Sequence, residues 1–152
     1  MYLVGIIDFN DNKINIGNLL KNIKKCIIHK INLKNINNYK NIRFNVLVIN
    51  DNLERVKNNE ELERIIENSR IILLNIDYKE NIDFLKHSKA LEVVTYGFNQ
   101  KATVTIVSFD EGNITLDFQR KIISLNNEVI EEKEITEMYN NRAKTGCIFL
   151  LE

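Results

Sequence analysis

Glycine is scarce. There are five in 152 residues and none forms GxxxxGK, so the backbone N–H cradle of a phosphate loop has no obvious counterpart. Net charge is also missing: Lys plus Arg and Asp plus Glu both number 21. That balance leaves no electrostatic footprint for nucleic acid or an anionic membrane surface. Cysteine occurs only as Cys26 and Cys147, with no CxxC, which argues against a thioredoxin-like redox motif and a zinc knuckle. Both read as buried or half-buried thiols in a reducing compartment, with a disulfide as the alternative. No apolar run approaches the roughly 18 residues of a membrane-spanning helix. The start, "MYLVGIIDFNDN", lacks the basic and long apolar regions of a signal peptide. A cytoplasmic location is expected, with neither membrane nor nucleic acid as partner. No GxSxG is present. His29 and His87 are lone histidines with no carboxylates at ligand spacing, which gives a metal hydrolase little support. Proline is absent while Asn, Ile and Lys abound. This looks like the codon bias of an AT-rich genome, so the many Asn residues do not each call for a function.

What is present is core material. Hydrophobic residues make up 44% of the chain. A chain of this size buries roughly 68–70% of its unfolded surface, enough for one domain over residues 1–152. "YLVGIIDF" (2–9) is a short, β-branched, continuous apolar run, the pattern of a buried strand, parallel by preference. After it, Ile16, Leu19, Leu20 and Ile23 recur at helical spacing. "CIIHKINL" (26–33) and "FNVLVIN" (44–50) predict two further strands. "DNLERVKNNEELERIIENS" predicts helix with a break at "KNN", with Leu62, Ile65 and Ile66 on one face. "RIILLNID" (70–77), "KENIDFLKHS" and "LEVVTYGF" (91–98) predict a strand, a short helix with Ile82 and Leu85 inward, and a fifth strand. Strands alternating with helices argue for a mainly parallel sheet with right-handed crossovers.

The pattern changes after residue 98. "ATVTIVSF" and "ITLDFQRKI" alternate apolar with polar, and the turns "DEGN" and "LNNE" separate them from each other and from "VIEEKEI". They predict an antiparallel β extension over about 99–152, with "GCIFLLE" as a candidate last strand. The fold class is therefore α/β: a three-layer Rossmann-like domain, parallel over about 1–98. The "YGFN" corner marks the switch from parallel to antiparallel. Gly97 suits a conformation that a β-carbon would hinder, and Tyr96 can bury its ring while its hydroxyl stays wet.

"RIILLNID", the short helix, "LEVVTYGFNQKATVTIVSF" and "NITLDF" together resemble the end of the central ATPase domain of the Mur ligases. These ATP-dependent enzymes add amino acids to the peptidoglycan precursor UDP-N-acetylmuramic acid. In that family a strand ends in an Asn-Ala-Asp-Asp-Pro-like motif, a helix follows, and a Val-Ile-Thr-Tyr-Gly strand comes next. Here Asn75 and Asp77 fall on the first motif, and Val94, Thr95, Tyr96 and Gly97 on the second. Upstream, "LVGIIDFNDNKINIGNLLKNI" has the strand and helix that flank the family's Gly-Thr-Asn-Gly-Lys-Thr loop, with Asn10 and Lys13 between them. "VLVINDNLERV" has the strand and Asn50 of the next landmark but not its histidine.

The loop itself departs from the family. Asp8, Phe9, Asp11 and Asn12 stand where glycines are needed, and the carboxylates would repel a triphosphate. No Ser or Thr follows Lys13 to hold Mg²⁺. Nor is this an EF-hand, since Lys13 and Leu19 occupy the positions of its Gly and its bidentate Glu. The resemblance implies a shortened, non-catalytic relative of the ATPase domain, with no cofactor, that binds a partner protein and is linked to peptidoglycan synthesis. The alternative is a small-molecule or nucleotide binder, or a divergent enzyme, using the crevice where the strands end. Its candidate residues are Asp8, Asn10, Lys13, Asn50, Asn75 and Asp77. The same residue types serve as helix caps and turn formers. A shortened sheet also leaves edges to cover, which favours a homodimer.

Overall fold

The computed structural model describes residues 1–9, 26–56, 58–85, 92–110 and 112–138. The helix expected on Ile16, Leu19, Leu20 and Ile23, the tail "GCIFLLE", and His87 and Cys147 lie outside them.

The described chain runs through β1 (Tyr2–Ile7), β2 (Cys26–Ile31), β3 (Val46–Ile49), α1 (Glu60–Glu67), β4 (Ile71–Asn75), α2 (Lys79–Leu85), β5 (Glu92–Gly97), β6 (Val104–Asp110), β7 (Asn113–Phe118), β8 (Ile122–Ile123), β9 (Val129–Ile130) and β10 (Lys133–Met138). Short 3₁₀ turns cover Ile36–Asn38 and Leu53–Val56. Eight strands form one sheet in the order β10-β7-β6-β5-β4-β3-β1-β2, and β8 pairs with β9 in a separate hairpin. Strands β2, β1, β3, β4, β5 and β6 run parallel. The pairs β6–β7 and β7–β10 are antiparallel.

Residue choice follows from position in the sheet. Strands β3 and β4 are apolar at nearly every residue because both of their faces are covered. In β7, Ile114, Leu116 and Phe118 alternate with Asn113, Thr115 and Asp117, the period-2 pattern of a strand with one apolar face. One face of the sheet carries Val4, Ile6, Val48, Leu73, Val94, Tyr96, Ile106 and Leu116, against which Ile122, Leu125 and Ile130 of the β8–β9 hairpin pack. The other carries Leu47, Ile49, Ile72 and Leu74. Ile36, Leu53 and Val56 of the 3₁₀ turns, Leu62, Ile65 and Ile66 of α1, and Ile82 and Phe84 of α2 pack onto this second face.

The helical break expected at "KNN" is present. Asn58 takes a positive φ of 67°, and the Asn59 side chain caps α1 by accepting the Leu62 N–H at 2.9 Å.

The corner after β5 differs from its sequence reading. Strand β6 pairs with β5 in parallel, through Tyr96↔Val104 and Gly97↔Thr105 alone. A full parallel return needs a crossover of about a dozen residues or more. Here the chain steps sideways through residues 98–103 and continues in the same direction, so no return is required. The reversal comes one strand later, at β6–β7.

Candidate functional site

The strand order β2-β1-β3-β4-β5 reverses direction at β1. In open α/β sheets such a point opens a crevice outside the carboxyl ends of the strands. The residues there are Asp8 after β1, Asn50 and Asp51 after β3, Asn75 to Asp77 at the end of β4, and Gly97 to Asn99 at the end of β5.

At the β1–β3 gap, Asp8 and Asp51 are both buried. The Asp8 N–H donates to the Ile31 carbonyl at 3.2 Å, and Lys30 Nζ lies 3.6 Å from Asp8 Oδ2. Asp51 accepts the Phe9 N–H at 2.9 Å through Oδ2 and the Asn52 N–H at 2.7 Å through Oδ1. Its carboxylate therefore ties the end of β1 to the start of the loop after β3. Among the described residues, the gap thus holds the buried Asp8 and Asp51 carboxylates, with the Lys30 ammonium beside Asp8.

Asn50 serves the core. The Tyr96 hydroxyl donates to Asn50 Oδ1 at 2.8 Å, reaching from β5 past β4 to β3. Tyr96 is only 2% exposed, so its hydroxyl is not wet. A phenol buried this deeply needs a protein acceptor, and Asn50 supplies it.

Asn75 and Asp77 form the turn at the end of β4. The Asp77 N–H donates to Asn75 Oδ1 at 2.9 Å. Asp77 Oδ1 in turn accepts the Asn99 N–H at 2.9 Å. Gly97 makes this approach possible. It adopts φ 142°, and a β-carbon there would lie 2.5 Å from Asp77 Oδ1. Asn99 holds the step into β6: its Oδ1 accepts the Lys101 N–H at 2.9 Å and its carbonyl the Ala102 N–H at 2.9 Å.

A residue outside the expected set joins two of these groups. Asn81 on α2 is fully buried. Its Nδ2 donates to the Asp51 carbonyl at 3.0 Å and the Asn75 carbonyl at 2.8 Å, while its Oδ1 accepts the Leu53 N–H at 2.9 Å. It thus fastens the ends of β3 and β4 together from above.

Of the six residues expected in the crevice, Asn10 and Lys13 lie outside the described residues. Asn75 and Asp77 are brought into contact with each other, and Asn50 with Tyr96 instead. Asp8 lies within 3.6 Å of Lys30. Asp51, Asn81 and Asn99 were not expected. Asp51 follows Asn50 directly and Asn99 sits in the "YGFN" corner, so adjacency could have flagged both. Asn81 is one of many Asn residues and has no such signal.

Among the described residues, no group of three or more His, Cys, Asp or Glu could hold a metal ion. No described helix is long and apolar enough to cross a membrane. His29 packs edge-on against Tyr39, with ring centroids 5.5 Å apart, as a half-buried strand residue. Burial pushes the Cys26 thiol above its ordinary range, partly offset by the positive N-terminus, which disfavours the reactive thiolate. No family model matches the chain, and a search of the curated proteins finds no match.

Proposed function

We propose that this chain is a non-catalytic, Mur-ligase-like protein that acts by binding a partner protein, in a regulatory role linked to peptidoglycan synthesis in the cytoplasm. The observation that carries the non-catalytic part is the backbone at the end of β1. A phosphate loop presents free N–H donors to its ligand. Here the Asp8 N–H is bonded to Ile31 and the Phe9 N–H to the Asp51 carboxylate. An anion approaching Asp8 and Phe9 would find both of these N–H groups already bonded. The link to Mur ligases rests on the sequence resemblance over residues 70 to 120. The Asn75–Asp77–Gly97–Asn99 turn gives those resembling residues a structural reason to be retained in the absence of catalysis. The three-layer arrangement is part of the same proposal. The described helices follow β3 and β4 onto one face, and a right-handed passage from β1 to β2, running the opposite way along the sheet, belongs on the other.

Thermal shift tests the reading. A ligand at 100 times its dissociation constant adds about 2.7 kcal/mol, a rise of roughly 5–10 °C for a domain of this size. We expect no rise with Mg-ATP, and co-purification of the chain with enzymes of peptidoglycan synthesis. A rise of several degrees with Mg-ATP would overturn the non-catalytic reading.

A second reading is a crevice binder, favoured by the position of Asp8 and Lys30 at the point where the strand order reverses. It predicts stabilisation by a small molecule, such as a UDP-muramyl precursor, that is lost in Asp8→Ala, Asn10→Ala. Indifference of every ligand response to that double change would discard it.

A further inference from the structure

Strand β10 ends the eight-stranded sheet, and no described strand pairs with its outer side. An edge strand leaves backbone donors and acceptors ready to pair with any strand that fits. The sequence of β10, "KEITEM", decides what fits.

We propose that β10 is a self-association edge. Two copies of the chain pair β10 with β10, antiparallel, about a two-fold axis at Ile135, and join their sheets into one. This inference is independent of the nucleotide and cell-wall readings above.

The register argument is specific. Within one chain, Lys133, Ile135 and Glu137 stand opposite Phe118, Leu116 and Ile114, on the apolar face of β7. Glu134 and Thr136 stand opposite Asp117 and Thr115, on its polar face. A one-residue slip between the two copies would set the row of Ile135, which packs against the core, against the row of Glu134 and Thr136. That leaves registers centred on a residue. Centred on Ile135, Lys133 meets Glu137 of the second copy twice, by symmetry, and Ile135 meets its own copy. Glu134 then meets Thr136, whose hydroxyl already lies 3.0 Å from the Thr115 hydroxyl and can extend that row to the Glu134 carboxylate. Centred on Glu134, that residue would face itself. Centred on Thr136, Ile135 would face Glu137. Opposite charges directly across a strand pair stabilise it and like charges destabilise it, so the Ile135 register is the favoured one.

The same charges discourage other occupants. Lys133 and Glu134 have no ion-pair partner among the described residues. A foreign strand without a matching negative charge would leave Lys133 uncompensated, which disfavours it. The chain's own "GCIFLLE" segment carries no positive charge for Glu137 and, within its apolar stretch, no negative one for Lys133.

Sedimentation velocity of the full chain across a concentration series tests this. A molar mass that doubles with concentration is expected. Lys133→Glu sets Glu against Glu137 at both ends and should raise the dimer's dissociation constant by about tenfold or more. The swap Lys133→Glu with Glu137→Lys restores opposite charges and should restore the dimer. In a Cys26→Ser, Cys147→Ser background, Ile135→Cys should form a symmetric intermolecular disulfide under mild oxidation, whereas Thr136→Cys should not. Circular dichroism establishes that each variant is folded. A wild-type chain that stays monomeric at every concentration overturns the proposal. A dimer indifferent to Lys133→Glu, or one that cross-links equally at 136, overturns this interface.

Discussion

Gly97 is the residue whose replacement should cost most for the least added volume. Its φ of 142° is one that side chains rarely adopt, and the Asp77 carboxylate occupies the space a methyl group would need. Gly97→Ala is therefore expected to lower stability by about 2–3 kcal/mol in urea unfolding. Adding Asp77→Ala should recover only part of that, because the clash is relieved and the backbone strain remains. An unchanged midpoint in the single variant would show that the corner relaxes easily. The sequence made Gly97 legible as a corner residue and Asn75 and Asp77 as strand-end polar residues. It did not say whether the polar groups faced a ligand or each other. That choice depends on bonds such as Asp77 to Asn99 and Tyr96 to Asn50, made between residues 22 and 46 positions apart. Asn81 was illegible for the same reason, since its three bonds reach into other elements.

Among the elements, those with long single-period patterns were legible and the shortest were not. The apolar runs of β1, β3 and β4 and the Leu62, Ile65, Ile66 face of α1 appear where their spacing placed them. The hairpin β8–β9 consists of two-residue strands, too short for any period to register, and it is held by partners from elsewhere. The start of α1 yields a prediction at this scale. Asn59 caps the helix after a break in which Asn58 takes positive φ. Asn59→Ala should cost about 1 kcal/mol, and Asn59→Ser much less, in the same unfolding assay. Equal losses for the two would mean that the cap contributes little beyond the turn itself.

For the whole molecule, the sequence pattern conveyed parallel strands followed by antiparallel ones, but not their order. The place of β1 between β2 and β3 is set by non-local pairing that no local pattern encodes. The same uncertainty applied to the step from β5 into β6, where a short connection looked like a hairpin and proved parallel. Sheet order should govern local stability. Amides of β3 and β4, flanked on both sides and buried on both faces, should exchange with deuterium most slowly, and those of the outermost strand β2 much faster. Comparable protection across the sheet in exchange mass spectrometry would contradict this gradient. Slow exchange in β10 at high concentration, lost on dilution, would accompany the edge pairing proposed above.

The tie between the first strand and the β8–β9 hairpin has a consequence for how the chain is made. The Tyr2 hydroxyl donates to Asn126 Oδ1 at 2.8 Å, across 124 positions of sequence. Arg70 reaches the same hairpin at Asn127. A ribosome adding about 5–20 residues per second needs roughly 6–25 s to travel from one end of that contact to the other. Through that interval β1, β3 and β4 can assemble, but Ile122, Leu125 and Ile130 are not yet available to cover their face. The part of that face which Ile122, Leu125 and Ile130 cover in the finished fold therefore waits for them until late in synthesis, and that is when a chaperone would find it.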